Sequence, residues 1–84
     1  MYLEIITPEN KLFAGEAELV KLPGSNGSFE VLMNHAPTIS TLTEGQIKVK
    51  DSNGNLAYFE IRSGVVEVKN NNIIVLVDAS ATPE

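Results

Sequence analysis

From residue 46 to residue 62 the chain reads QIKVKDSNGNLAYFEIR, and a helix cannot accommodate that pattern. Ile47 and Val49 fall on one side, with Gln46, Lys48 and Lys50 on the other. Further along, Phe59 and Ile61 share a side opposite Tyr58, Glu60 and Arg62. A period of two is the signature of a strand with one face in the core and one in water. Between the two runs stands Asn53-Gly54, the strongest short hairpin signal, which predicts a turn with both central residues at positive φ.

The same rhythm runs through the rest of the chain, and no helical period holds over a useful window. Residues 2–7, YLEIIT, predict a first strand stopped by Pro8-Glu9-Asn10. KLFAGEAELVKL follows, with Gly15 expected as a bulge or corner between two strand pieces. Residues 29–32 and 38–42 predict short strands flanking an Asn34-His35-Ala36-Pro37 corner. Gly64 is expected to break the LAYFEIR run, VVEV to resume it, and Asn70-Asn71-Asn72 to turn it into IIVLV. That last run, residues 73–77, shows no polar alternation and predicts a central strand covered on both faces.

These elements predict an all-β sandwich or flattened barrel of two mostly antiparallel sheets, built from eight to ten short strands. Val20, Leu22, Ile47, Val49, Phe59, Ile61, Val66, Val68, Val75 and Val77 are the expected core. The 84 residues form a single domain, 1–84, of a size that buries only about 60% of its unfolded surface. Residues 79–84 carry no core side chain and are expected to be loosely ordered.

Composition removes several function classes. The net charge is −5, from eleven acidic and six basic residues, and the lysines are scattered along the sequence. Phosphate recognition needs a basic stripe, so nucleic acid is not an expected partner. No signal peptide opens the chain, and no apolar run approaches the ~20 residues that span a bilayer, so membrane association is expected only through another protein. Cysteine is absent, leaving no disulfide and no thiolate ligand.

Catalytic chemistry finds little to work with. His35 is the only histidine, no Gly-x-Ser-x-Gly elbow exists, and only Glu30 lies near His35 as a second metal ligand. No catalytic residue, metal or cofactor is expected. Gly24-Ser25-Asn26-Gly27-Ser28 lacks the Gly-Lys-Ser/Thr ending of a phosphate loop and leads into a strand, which predicts a wide turn. Asn26-Gly27-Ser28 matches a glycosylation acceptor, but without a secretory signal the match is accidental. Glu16 and Glu18 share a strand face and are expected as a solvated edge.

One stretch is more than a chain reversal requires. LPGSNGSFEVLMNHAP, residues 22–37, sets two glycines, two asparagines and the lone histidine around Phe29, Val31, Leu32 and Met33. Together with Thr7-Pro8-Glu9, Leu22-Pro23-Gly24, Asn34-His35-Ala36-Pro37 and Ser63-Gly64 followed by Val66-Glu67-Val68, it resembles the epsilon subunit of the F-type ATP synthase. The likeness extends from Leu3 to Ala79.

That resemblance implies an N-terminal β-sandwich domain at the foot of the central rotor stalk, beside the gamma subunit and resting on the c-ring. It implies a non-catalytic rotor subunit that couples proton or sodium flow to ATP synthesis, held peripherally on the cytoplasmic side of a bacterial plasma membrane. Ser25, Asn26, Gly27, Ser28, Phe29 and Glu30 are then expected to face the c-ring. Thr7, Leu32, Met33, His35 and Ser40 are expected to face gamma.

The chain departs from the family at several points. Ser28 stands where many members carry a glutamate, and the acid appears instead at Glu30, two residues along. Val65 replaces a common second glycine. The family's C-terminal two-helix hairpin has no counterpart before Glu84, so ATP binding is not expected of this polypeptide. The alternatives are a free-standing β-sandwich module for a peptide or carbohydrate, and a small hydrolase. Five aromatic residues without a tryptophan argue against the carbohydrate site, and the missing catalytic constellation argues against the hydrolase.

Overall fold

A computed structural model describes residues 1–79 as seven strands: β1 (Tyr2–Ile6), β2 (Lys11–Leu22), β3 (Phe29–Val31), β4 (Thr38–Leu42), β5 (Gly45–Asp51), β6 (Leu56–Lys69) and β7 (Asn72–Ala79). Neighbours run β1-β7-β6-β5-β2, and β1 pairs again with β2, so the ladder closes into a flattened barrel. β3 adds to β2 and β4 adds to β6. Among the described residues only β1 and β7 pair in parallel.

The barrel is equally two layers. The first half of β2, then β1, β7, the second half of β6 and β4 form one sheet. The second half of β2, flanked by β3 and β5, and the first half of β6 form the other. The expected all-β sandwich is the observed architecture. It is reached with fewer, longer strands, because β2 and β6 each serve both layers.

Neither glycine breaks its strand. β2 runs unbroken through Gly15, and its register slips between Ala17 and Leu19. β6 runs unbroken through Gly64, and its slip falls between Ile61 and Ser63. The extra residues at these slips are Glu18 and Arg62, whose side chains are exposed. Gly64 serves packing instead: a Cβ there would meet the Leu76 carbonyl oxygen at 2.6 Å.

The Asn53-Gly54 hairpin forms, but not with two left-handed residues. Only Gly54 has positive φ (85°), its N–H donates to Asp51 O at 3.0 Å, and the loop holds three residues. The Asp51 carboxylate, accepting from the Asn53 and Asn55 N–H groups at 2.9 Å each, favours this wider turn. The two-residue turn with both residues left-handed lies elsewhere, at Asn70 (φ 53°) and Asn71 (φ 61°) between β6 and β7.

The core is continuous between the layers. Leu3, Ile5, Val20, Leu22, Val31, Ile47, Val49, Ile61, Val66, Val68, Ile73, Val75 and Val77 are buried. Phe59, expected among them, is half-buried at the rim, edge-on to Phe13 with ring centroids 6.2 Å apart. Among the described residues no buried side-chain N or O lacks a hydrogen-bond partner. Ala79, expected in the loose tail, closes β7 instead, and residues 80–84 lie outside the described residues.

β7 corrects the reading of IIVLV. It is central, between β1 and β6, but only Ile73, Val75 and Val77 are buried. Ile74 and Leu76 point to solvent. Among the described residues there is no third layer to cover them.

Candidate partner-binding surface

The loop between β2 and β3 carries the residues expected to face the c-ring. It is a tight turn, closed by the Gly27 N–H on Gly24 O at 2.9 Å with Gly27 at φ 123°. Ser25 pins it to β4: its N–H donates to Thr41 O at 3.0 Å, and Thr41 Oγ1 donates to Ser25 Oγ at 2.8 Å. Ser25, Asn26, Gly27 and Ser28 are exposed. Phe29 turns inward and packs against the core at Gly24, where a Cβ would touch its ring. Glu30 is exposed on β3 opposite Lys21, and Ser28 lies just before the strand.

At the other end of β4, residues 32–37 form the corner expected to face gamma. The His35 N–H closes a turn on Leu32 O at 3.1 Å, with Asn34 left-handed at φ 65°. The His35 ring stays local, its Nδ1 2.8 Å from Ala36 O, which also accepts from Thr38 Oγ1 at 2.9 Å. A carbonyl only accepts, so Nδ1 donates in this contact. Leu32 and Met33 are exposed, Met33 at 62%, and add little to the core. Asn34 is tied across the fold, its N–H donating to Asn71 Oδ1 at 2.7 Å while Asn71 Nδ2 donates to Asn34 Oδ1 at 3.2 Å.

Thr7 and Ser40 offer less than their expected role suggests. Thr7 is buried, and its hydroxyl bonds both N–H and C=O of Asn10, closing the Pro8-Glu9 turn. The Ser40 hydroxyl donates to Thr41 O at 3.0 Å. Their neighbours are more informative. Ile39 is 76% exposed and lies in one cross-strand row with Glu67, Ile74 and Glu4. The next row holds Thr41, Val65, Leu76 and Ile6. The outer face of this sheet is therefore an apolar stripe of Val65, Leu76 and Ile6 with Ile39 and Ile74 beside it, interrupted by Glu67 between those two isoleucines and ending at Glu4.

Three shallow depressions follow that stripe. Pro37, Thr38, Ile39, Glu67, Val68 and Lys69 line one; a second lies over Asn70, Asn72 and Ile74; the third lies between Ile6, Pro8 and Leu76. The Lys11 ammonium, 3.1 Å away, and then the Tyr2 hydroxyl hold the Glu4 carboxyl below its ordinary pKa, so this edge stays charged. Sequence reasoning missed Ile39, Ile74 and Leu76 as surface residues. The available signal was that IIVLV still alternates two apolar sets, of which a small core has room for one.

The sequence of residues 1–83 matches the family described as the ATP synthase delta/epsilon chain β-sandwich domain. An ATP synthase epsilon chain from Caulobacter vibrioides is 37% identical over 78 residues, covering 93% of this chain and 90% of that one. One from Chlorobaculum tepidum is 38% identical, covering 90% and 86%. Another from Campylobacter fetus is 40% identical, but the 84 residues span only 62% of its length. Among solved structures, a chain in the central stalk and c-ring of the Tetrahymena thermophila mitochondrial ATP synthase superposes with a TM-score of 0.79 at 15% identity. That match covers 92% of this chain and 62% of the other. At that identity the likeness is one of fold.

Proposed function

The chain belongs to the ATP synthase delta/epsilon family, whose β-sandwich domain it carries, and from that premise we propose that it is a non-catalytic rotor subunit linking gamma to the c-ring. In this role it helps couple ion flow to ATP synthesis and is held at the cytoplasmic side of the membrane only through the complex. The observation that carries the proposal is the apolar outer face of the β4-β6-β7-β1 sheet. Exposed Ile39, Ile74 and Leu76 add nothing to a core that is already complete; with Val65 and Ile6 they gather on one side around Glu67, and a gathered apolar surface marks a docking site. Gamma takes this face together with the corner of Leu32, Met33 and His35, with Thr7 and Ser40 at its border. The c-ring takes residues 25–30.

The two ends of β4 suit this division. Ser25 is fastened at Thr41, and the His35 loop is fastened at Thr38, about 10 Å apart along one strand. A rigid strand thus holds both surfaces in fixed relation. The depressions on the apolar face have no aromatic lining, which favours a broad protein contact over a sugar site. The 84-residue polypeptide binds no ATP in this reading, since its glycine-rich loop ends in a strand.

Titration of the chain into purified gamma tests the proposal. Ile39→Glu and Leu76→Glu should each weaken binding by roughly thirtyfold or more, as expected for central interface positions. The melting temperature of the free chain should barely change, because both side chains are solvated there. Binding unchanged in both variants would move the gamma interface off this face.

A further inference from the structure

We propose that Asn71 is a positioning residue for partner recognition: through Asn34 it holds the Leu32-Met33-His35 corner in its binding shape. The inference rests on the gamma-facing role argued above. Among the described residues, the reciprocal Asn34–Asn71 bonds are the side-chain hydrogen bonds that tie this corner to another loop, across 37 positions of sequence. Leu32 and Met33 are exposed, and the bonds made by His35 reach no further than its own loop and Thr38 at the start of β4. Burial therefore does little to order the two apolar tips.

The choice of residue supports the same conclusion. Position 71 needs positive φ, where glycine costs least. The β5-β6 hairpin uses Gly54 at such a site, where a Cβ would meet nothing within 4 Å. The β6-β7 turn uses asparagine instead, and its side chain spans to Asn34. The turn is itself a firm anchor, since the Asn71 carbonyl accepts the Tyr2 N–H at 2.9 Å and fixes it to β1. A corner ordered before contact does not lose its freedom on binding, and affinity rises accordingly.

Asn71→Gly removes the clasp while suiting the left-handed turn, and Asn71→Asp keeps an acceptor for the Asn34 N–H. In the free chain, Asn71→Gly should leave melting nearly unchanged but speed amide exchange at Asn34 about tenfold. Its dissociation constant for gamma should rise roughly five- to tenfold, the loss of one net hydrogen bond's effect. Asn71→Asp should recover most of both. Unchanged exchange at Asn34 overturns the clasp, as does unchanged gamma affinity in Asn71→Gly. So does a loss of affinity that Asn71→Asp fails to restore. If the wild-type chain does not bind gamma, the proposed function fails instead, and exchange at Asn34 alone decides whether the clasp orders the corner.

Discussion

Gly64 pairs with Val77 between β6 and β7, and there is no room for a methyl group. An added Cβ would lie 2.6 Å from the Leu76 carbonyl oxygen and 3.0 Å from Val77 Cγ1. That oxygen belongs to the ladder and cannot retreat without disturbing the pairing. Gly64→Ala should cost ~1–3 kcal/mol by overpacking, lowering the melting temperature by about 5–20 °C, as thermal denaturation would read. Asp51 makes a second residue-level prediction. The Asn55 N–H first, then that of Asn53, holds its carboxyl below its ordinary pKa. A folded pKa below the unfolded one stabilises above the unfolded value, and the gain is lost as pH falls through the folded value. Melting curves taken downward from about pH 5 should therefore fall less steeply for Asp51→Asn than for wild type. The carboxylate's preference for a three-residue loop was not legible from Asn53-Gly54, because a dipeptide signal does not include the residue two places before it.

Strands that alternate apolar and charged residues declared their faces. Ile47 and Val49 in β5, and Val66 and Val68 in β6, are buried as their neighbours' charges required. β7 did not, since both of its faces are apolar and only the number of layers decides which is covered. Pairing between distant strands was equally silent. Lys21 and Lys48 lie directly opposite each other on β2 and β5, a consequence of register across 27 positions that no local pattern carries. Like charges so placed repel by roughly 0.2–1 kcal/mol. Lys48→Glu should raise the melting temperature by about 1–6 °C at low salt, and the gain should shrink in 1 M salt as screening removes it. Equal gains at both ionic strengths would show that packing beside Tyr58, and not charge, controls this pair. Amide exchange should be slowest in β5 and β7, each paired on both sides, and fastest in the three-residue β3 and the loops around it.

The whole molecule is a closed barrel whose β4-β6-β7-β1 surface exposes Ile39, Ile74 and Leu76. The family was legible because its turns and corners have fixed residues in fixed order, from Thr7-Pro8-Glu9 to Ser63-Gly64. The docking face proposed above was not, because it is assembled from β4, β6, β7 and β1 and exists only after folding. In the proposed assembly, one small domain joins two partners through opposite ends of β4. The chain has no cysteine, so a single introduced thiol reports one position. In a complex assembled from this chain, gamma and the c-ring, Asn26→Cys should cross-link to the c-ring and Met33→Cys to gamma, each without the other product. A folded chain that cross-links to neither partner, or that separates from the assembled gamma–c-ring complex on size exclusion, would contradict the account.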